Sequence, residues 1–215
     1  HDSSDFGVLN TPETIPYILR TLKIFSKSTD VHIGPISIGM HFNPYGESLV
    51  SNKNKIRLEM ADSDPRHDQL FSLTWTLAIF IQSINKESKF FTFNSIYGHH
   101  GILNKDNTKR PLYHLNNFLI SLTNSKIFKF NPVNEVYGLK IVLNDKKYYL
   151  FVNSSKQKKE IIIPEINFSN QYKLNLNNYT DIFNNDFSFF KFKYDTSPYT
   201  FEPLEIKFIE DKWKN

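Results

Sequence analysis

The chain has 215 residues, enough for one sizeable domain or one and a half small ones. Its composition, 40% hydrophobic, 22% charged and 15% aromatic with 20 Phe and 11 Tyr, is that of a globular protein with large core side chains. A net charge of +4 without a basic, aromatic-interleaved stripe argues against nucleic-acid binding. The longest apolar run, Leu77 to Ile81, falls far short of the roughly 20 residues of a membrane span.

The opening HDSSDFGVLN is polar and reads as a loop after a preceding element, so the chain is expected to be a fragment or a processed product. Thr11 or Thr14 can cap the helix that follows, with Pro12 and Pro16 near its first turn and Glu13 at the positive end of its dipole. Ile18, Leu19, Leu22 and Phe25 form an apolar stripe as far as Lys27. A strand is predicted around 31–38, running into a long loop over 39–63. Its core, IGPISIGMHFNPYG, ends in residues that break regular structure, so a buried strand delivers His, Asn and Tyr to its carboxyl end. Asp64-Pro65 opens a helix over about 66–84 that is apolar almost all round and should lie between layers. Lys89 to Phe93 reads as a strand, 94–101 as a loop and Leu112 to Leu122 as a helix.

This strand, polar loop, helix rhythm signals parallel βα units, as in a barrel or an open sheet. No Gly-rich phosphate loop follows either strand, which disfavours the nucleotide-binding open sheet. After Asn131-Pro132 the pattern changes to short β-rich runs: 136–143, 147–152, 160–163, 171–176, 187–194 and 204–209. Asn144-Asp145 joins the first two as a hairpin, and the whole reads as an antiparallel sheet or sandwich. Lys156, Lys158 and Lys159 are expected to form a solvated hairpin end.

Polar residues concentrate where the strands end: His1, Asp2 and Asp5; His41, Asn43 and Tyr45; Asn94, Tyr97, His99 and His100. In parallel βα units all three groups face one end of the sheet and suit general acid/base catalysis. Each has a plainer alternative: Asp2 and Asp5 as helix caps, Asn43 and Tyr45 as turn residues, Arg66 as partner of a structural carboxylate. Adjacent His99 and His100 seldom share one ion and no HExxH helix is present, so no metal and no cofactor are expected. No Ser sits in a G-x-S-x-G elbow. The absence of cysteine excludes thiol chemistry and favours a reducing compartment, so a cytoplasmic location is expected.

Four stretches together resemble the D-apionate lactonase family: HDSSDFGVLNTPETIPYILRTLK, IGPISIGMHFNPYG, DPRHDQLFSLTWTL and RPLYHLNNFL. The resemblance covers about residues 1–122; the Gly-Met-x-x-Asn-Pro-Tyr-Gly loop and the Asp-Pro-Arg helix start are its most specific pieces. It implies a glycosidase-like TIM barrel with a C-terminal β-domain, with residues 1–128 as the last βα units and 129–215 as a β-sandwich. His1 would end the sixth strand, with the seventh and eighth at Gly34–Ile38 and Phe90–Phe93. These units cannot close a barrel alone, so an N-terminal barrel half is expected in the full-length protein and this portion by itself is expected to be inactive.

Related retaining glycosidases carry a nucleophilic Glu at the end of the seventh strand, whereas this strand ends Ser37-Ile38-Gly39-Met40 without a carboxylate. His99-His100 also departs from the aromatic-basic pair more usual in the family. The resemblance therefore implies a hydrolase opening a small-molecule sugar lactone, by analogy D-apionolactone. In this reading His1 or His99 is the general base and Asp2 orients it; Asn43, Tyr45 and Asn94 bind the lactone, and Arg66 supports the loop or the product carboxylate. The alternatives are a glycoside hydrolase with its carboxylates upstream and a non-catalytic carbohydrate-binding fragment.

Overall fold

The structure is a computed structural model that describes residues 4–25, 31–39, 64–84, 88–162, 166, 168–183 and 199–211. Helix α1 spans Asp5–Phe25 and starts well before the expected Thr11 or Thr14. The cause is Ser4: Gly7 N–H donates to its Oγ at 3.1 Å and Val8 N–H to its carbonyl at 3.0 Å. Pro12 and Pro16 therefore lie inside the helix, and the Thr11 and Thr14 hydroxyls donate back to the Gly7 and Thr11 carbonyls. The buried face runs through Leu9, Pro12, Ile15 and Leu19, while Ile18 and Leu22 of the expected stripe are exposed.

Strands β1 (Val31–Ile36) and β2 (Ser88–Phe93) pair in parallel, from Val31 opposite Ser88 to Ile36 opposite Phe93. A bulge between Ile33 and Ile36 accommodates Gly34, where an added Cβ would come within 2.7 Å of Thr92. Ile33, Ile36, Ile38, Phe91 and Phe93 all pack into the helical core. By strand alternation Thr92 lies on the opposite face.

Between these strands the chain makes a 3-10 turn, Pro65–Asp68, and then α2, Leu70–Ser83. The Asp64 carboxylate accepts from Arg66 N–H at 2.9 Å and Pro65 occupies the first helical position, as the Asp-Pro start predicts. Every residue of α2 except Phe80 is buried. The helix packs on α1, on β2 and on α3 (Pro111–Ser121), and also on the sheet that follows. An all-round apolar helix is stable only with such layers on both sides, each Leu or Ile contributing about 1.5–3 kcal/mol on burial.

That sheet holds β3 (Lys126–Lys129), β4 (Val136–Leu143), β5 (Lys146–Asn153), β7 (Phe168–Leu174) and β9 (Ile206–Asp211). It is antiparallel in the order β3-β4-β5-β9-β7, with a separate two-stranded ribbon of β6 (Lys159–Glu160) and β8 (Thr200–Phe201). Asn144 and Asp145 take positive φ, 50° and 62°, the tight turn that a two-residue hairpin needs. One sheet face, with Leu139, Ile141, Leu150, Val152, Leu174, Ile206 and Phe208, closes on the helices. The other, with Val136, Tyr149, Phe151 and Ile209, packs on Ile161 and Phe201. Strand β3 was not anticipated and crosses the division expected at 128/129. The run expected at 187–194 lies outside the described residues. The lysine cluster is not simply solvated, since Lys156 pairs with Asp5, Lys158 with Glu202 and Lys159 with Glu135.

Candidate functional site

The parallel pair ends at Ile36 and Phe93, and Ser37 and Asn94 come next. Asn94 takes a left-handed φ of 59°, and its N–H donates to the Ile36 carbonyl at 3.1 Å, so the two residues leave neighbouring strands at the same level. Asn94 is 6% exposed. Both of its side-chain polar atoms, and the Ser37 Oγ, are buried without a hydrogen-bond partner among the described residues. A buried polar atom left without a partner costs about 1–3 kcal/mol, so orphans at strand ends call for a functional explanation.

The chain after Asn94 folds back on itself. Ser95 N–H donates to the His100 carbonyl at 3.1 Å and Ile102 N–H to the Ser95 carbonyl at 3.0 Å, which brings His99-His100 beside Asn94-Ser95. His99, partly buried, lines a cleft of about 400 Å³ with Gly98, Leu103, Asn104, Asp106 and Arg110. Arg110 sets the cleft wall, donating to Asn104 Oδ1 at 2.8 Å and to the Gly101 carbonyl at 3.2 Å.

Two further histidines hold this end together. His67, 2% exposed, contacts the Gly101 carbonyl through Nε2 at 2.8 Å, and His100 contacts the Ile38 carbonyl through Nδ1 at 2.9 Å. A carbonyl only accepts, so in each ring the named nitrogen carries the proton. Burial pushes the His67 imidazole below its ordinary range, keeping it neutral at pH 7. The rings meet edge to face at 6.4 Å, pinning the loop after β2 to the segments after β1. His100, half of the adjacent pair considered for a metal, is thus turned to the backbone. Among the described residues no group of three His, Asp or Glu side chains could hold an ion.

Arg66 is engaged by carboxylates. It donates to Asp64 through Nε at 3.0 Å and Nη2 at 2.6 Å, and to Asp5 through Nη1 at 3.0 Å. Asp5 also pairs with Lys156, which ties the start of α1 to the segment after β5. Hydrogen bonds from Lys156 and then Arg66 hold the Asp5 carboxyl below its usual range; the Arg66 fork does the same for Asp64. Of the two readings of Arg66, the structural-carboxylate one describes its surroundings.

The loop after β2 thus brings the His100 backbone beside Ser95, while the His99 side chain lines the Arg110 cleft and Arg66 lines a separate cleft with Asp5, Lys156 and Leu204. His1, Asp2, Asn43 and Tyr45 lie outside the described residues. Ser37 and His67 were missed. Ser37 was legible as the polar residue between the core-packed Ile36 and Ile38; nothing local marks His67, whose partner is 34 residues away.

Residues 1–124 match the family model described as D-apionate lactonase, TIM barrel domain. Over 119 residues the chain is 32% identical to the D-apionate lactonase of Brucella anthropi, covering 53% of this chain and 20% of that protein. The chain thus spans about a fifth of the length of that curated relative. Among solved structures, a conserved exported protein from Bacteroides fragilis has a TM-score of 0.53 at 8% identity, over 96% of this chain and 44% of that one. That is a likeness of fold alone. A GH30 endoxylanase from Clostridium papyrosolvens C71 has a TM-score of 0.45 at 9% identity, over 68% of this chain and 39% of its own.

Proposed function

The chain belongs to the D-apionate lactonase family through its TIM barrel domain, and on that premise we propose that the whole protein is a hydrolase that opens a sugar lactone. By analogy the substrate is D-apionolactone and the product D-apionate, a step of carbohydrate catabolism. In this reading the residues up to the end of α3 are the last βα units of an eight-stranded barrel, and the antiparallel sheet from β3 onward belongs to an appended β-domain. The N-terminal barrel half belongs to the full-length protein.

Lactone opening adds water to the ring carbonyl, passes through an oxyanion and breaks the bond to the ring oxygen, which takes up a proton. It needs a base for the water and donors for the oxyanion, and no covalent glycosyl intermediate. His99 is the base, with His1 as its alternative and Asp2 as the orienting carboxylate. Asn43, Tyr45 and Asn94 hold the ring, and Arg66 supports the surrounding segments through Asp64 and Asp5. The observation that carries the reading is Asn94, a buried amide with unused donors and acceptor at the end of a barrel-type strand. Its neighbour β1 is followed by Ser37, Ile38 and Gly39, with no carboxylate to attack a sugar.

In the full-length protein, changing His1 and His99 together to Ala should lower kcat on D-apionolactone by about 100-fold or more. Unchanged turnover in that double variant rejects the assignment, and turnover of an aryl glycoside by the parent favours a glycoside hydrolase instead.

A further inference from the structure

We propose that Ser37 and Asn94 act as one unit that reads two vicinal hydroxyls on a polyhydroxylated ring. This rests on the lactone reading above and specifies what that site selects. Asn94 N–H bonds to the carbonyl of Ile36, so Ser37 follows immediately after the residue that Asn94 pairs with. The two residues directly follow the last residues of adjacent strands, whose spacing is about 4.8 Å. Both present buried polar atoms with no hydrogen-bond partner among the described residues.

The functional groups decide the ligand class. An amide offers two N–H donors and an acceptor oxygen, and a hydroxyl offers one donor and two acceptor lone pairs. Neither carries charge, so the pair does not suit a carboxylate or phosphate. Each hydroxyl of a diol is both donor and acceptor, and two of them on neighbouring ring carbons can engage both side chains together. The left-handed backbone at Asn94, which Asn tolerates and most residues do not, fixes the direction of the amide before a ligand arrives.

The test is calorimetric binding of polyhydroxylated γ-lactams to the full-length protein, since a lactam replaces the ring oxygen by N–H and resists opening. Removing either of the two hydroxyls from the lactam should weaken binding by about tenfold, the measure of one lost hydrogen bond. Ser37→Ala or Asn94→Ala should weaken the diol lactam by a similar factor and leave the dideoxy lactam unchanged. A loss of equal size for every lactam, or no dependence on the hydroxyls in the unaltered protein, overturns the proposal. The series on the unaltered protein decides the matter even where a variant does not fold. Hydroxyl dependence without lactone turnover supports the pair while rejecting the lactonase reading; turnover without hydroxyl dependence rejects the pair alone.

Discussion

Lys207 is 2% exposed, its ammonium donating to the Thr200 carbonyl at 2.6 Å and lying 4.7 Å from the Phe201 ring centroid. It faces Lys173 across the β7–β9 pair and neighbours Glu205, 1% exposed, whose carboxylate accepts from Glu202 N–H at 2.8 Å. Burial lowers the Lys207 amine from 10.5 to about 8 and raises the Glu205 carboxyl. Between pH 8 and 10.5 the unfolded chain holds the Lys207 proton more tightly than the folded one. This residue's contribution to stability therefore rises with pH through that window, by on the order of 3 kcal/mol at most. Urea melts at pH 7 and pH 10 should show that rise in the native chain relative to Lys207→Met; equal pH dependence in both would refute it.

The carboxylates behave oppositely. Asp64 and Asp5 are held below their ordinary range, so their contribution is present above about pH 4 and is lost as pH falls through the depressed values. Asp64→Ala removes the cap and the Arg66 fork together. It should cost about 1–2 kcal/mol at pH 7, and progressively less in melts at lower pH as the native carboxyl takes up its proton.

At the scale of elements, α2 carries the connection between the barrel-type strands and the antiparallel sheet. Leu77, fully buried at its middle, should cost about 3 kcal/mol when changed to Ala, measured by denaturant midpoint. Ile18→Ala on the exposed side of α1 in the same chain should stay within about 0.5 kcal/mol. Much of this was readable beforehand. The Asp-Pro start, the nearly all-round apolarity of α2 and the Asn144-Asp145 turn are local signals that the structure follows, except that the helix expected over 66–84 is divided at Gln69 into a 3-10 turn and α2. The start of α1 differs because Ser4 outcompetes the threonines as a cap, and the face that packs on α2 runs through Leu9, Ile15 and Leu19. In the site, Asn94 was legible as a polar residue ending a strand, whereas the engagement of Arg66 with Asp5 depends on a contact across 61 residues.

At the scale of the molecule, β1 and β2 form a parallel sheet of only two strands among the described residues. Parallel sheets are stable when both faces are covered and more strands join them. Phe6 and Tyr17 on α1 are 73% and 72% exposed, and an apolar cleft of about 720 Å³ opens beside β2, lined by Phe80, Phe91, Phe93, Leu119 and Ile120. In the proposed barrel reading both flanks would seat further barrel strands. The 215-residue chain alone should therefore bind a hydrophobic dye and self-associate in light scattering, while the full-length protein does neither. A clean monomer without dye binding would contradict that role for the flanks.

The most direct test of the central claim is acid release, followed by pH-stat, when full-length protein is mixed with D-apionolactone. Sustained release above the spontaneous rate, strongly reduced by the His1 and His99 double change, is the predicted result. Release no faster than the spontaneous opening of the lactone would contradict the account.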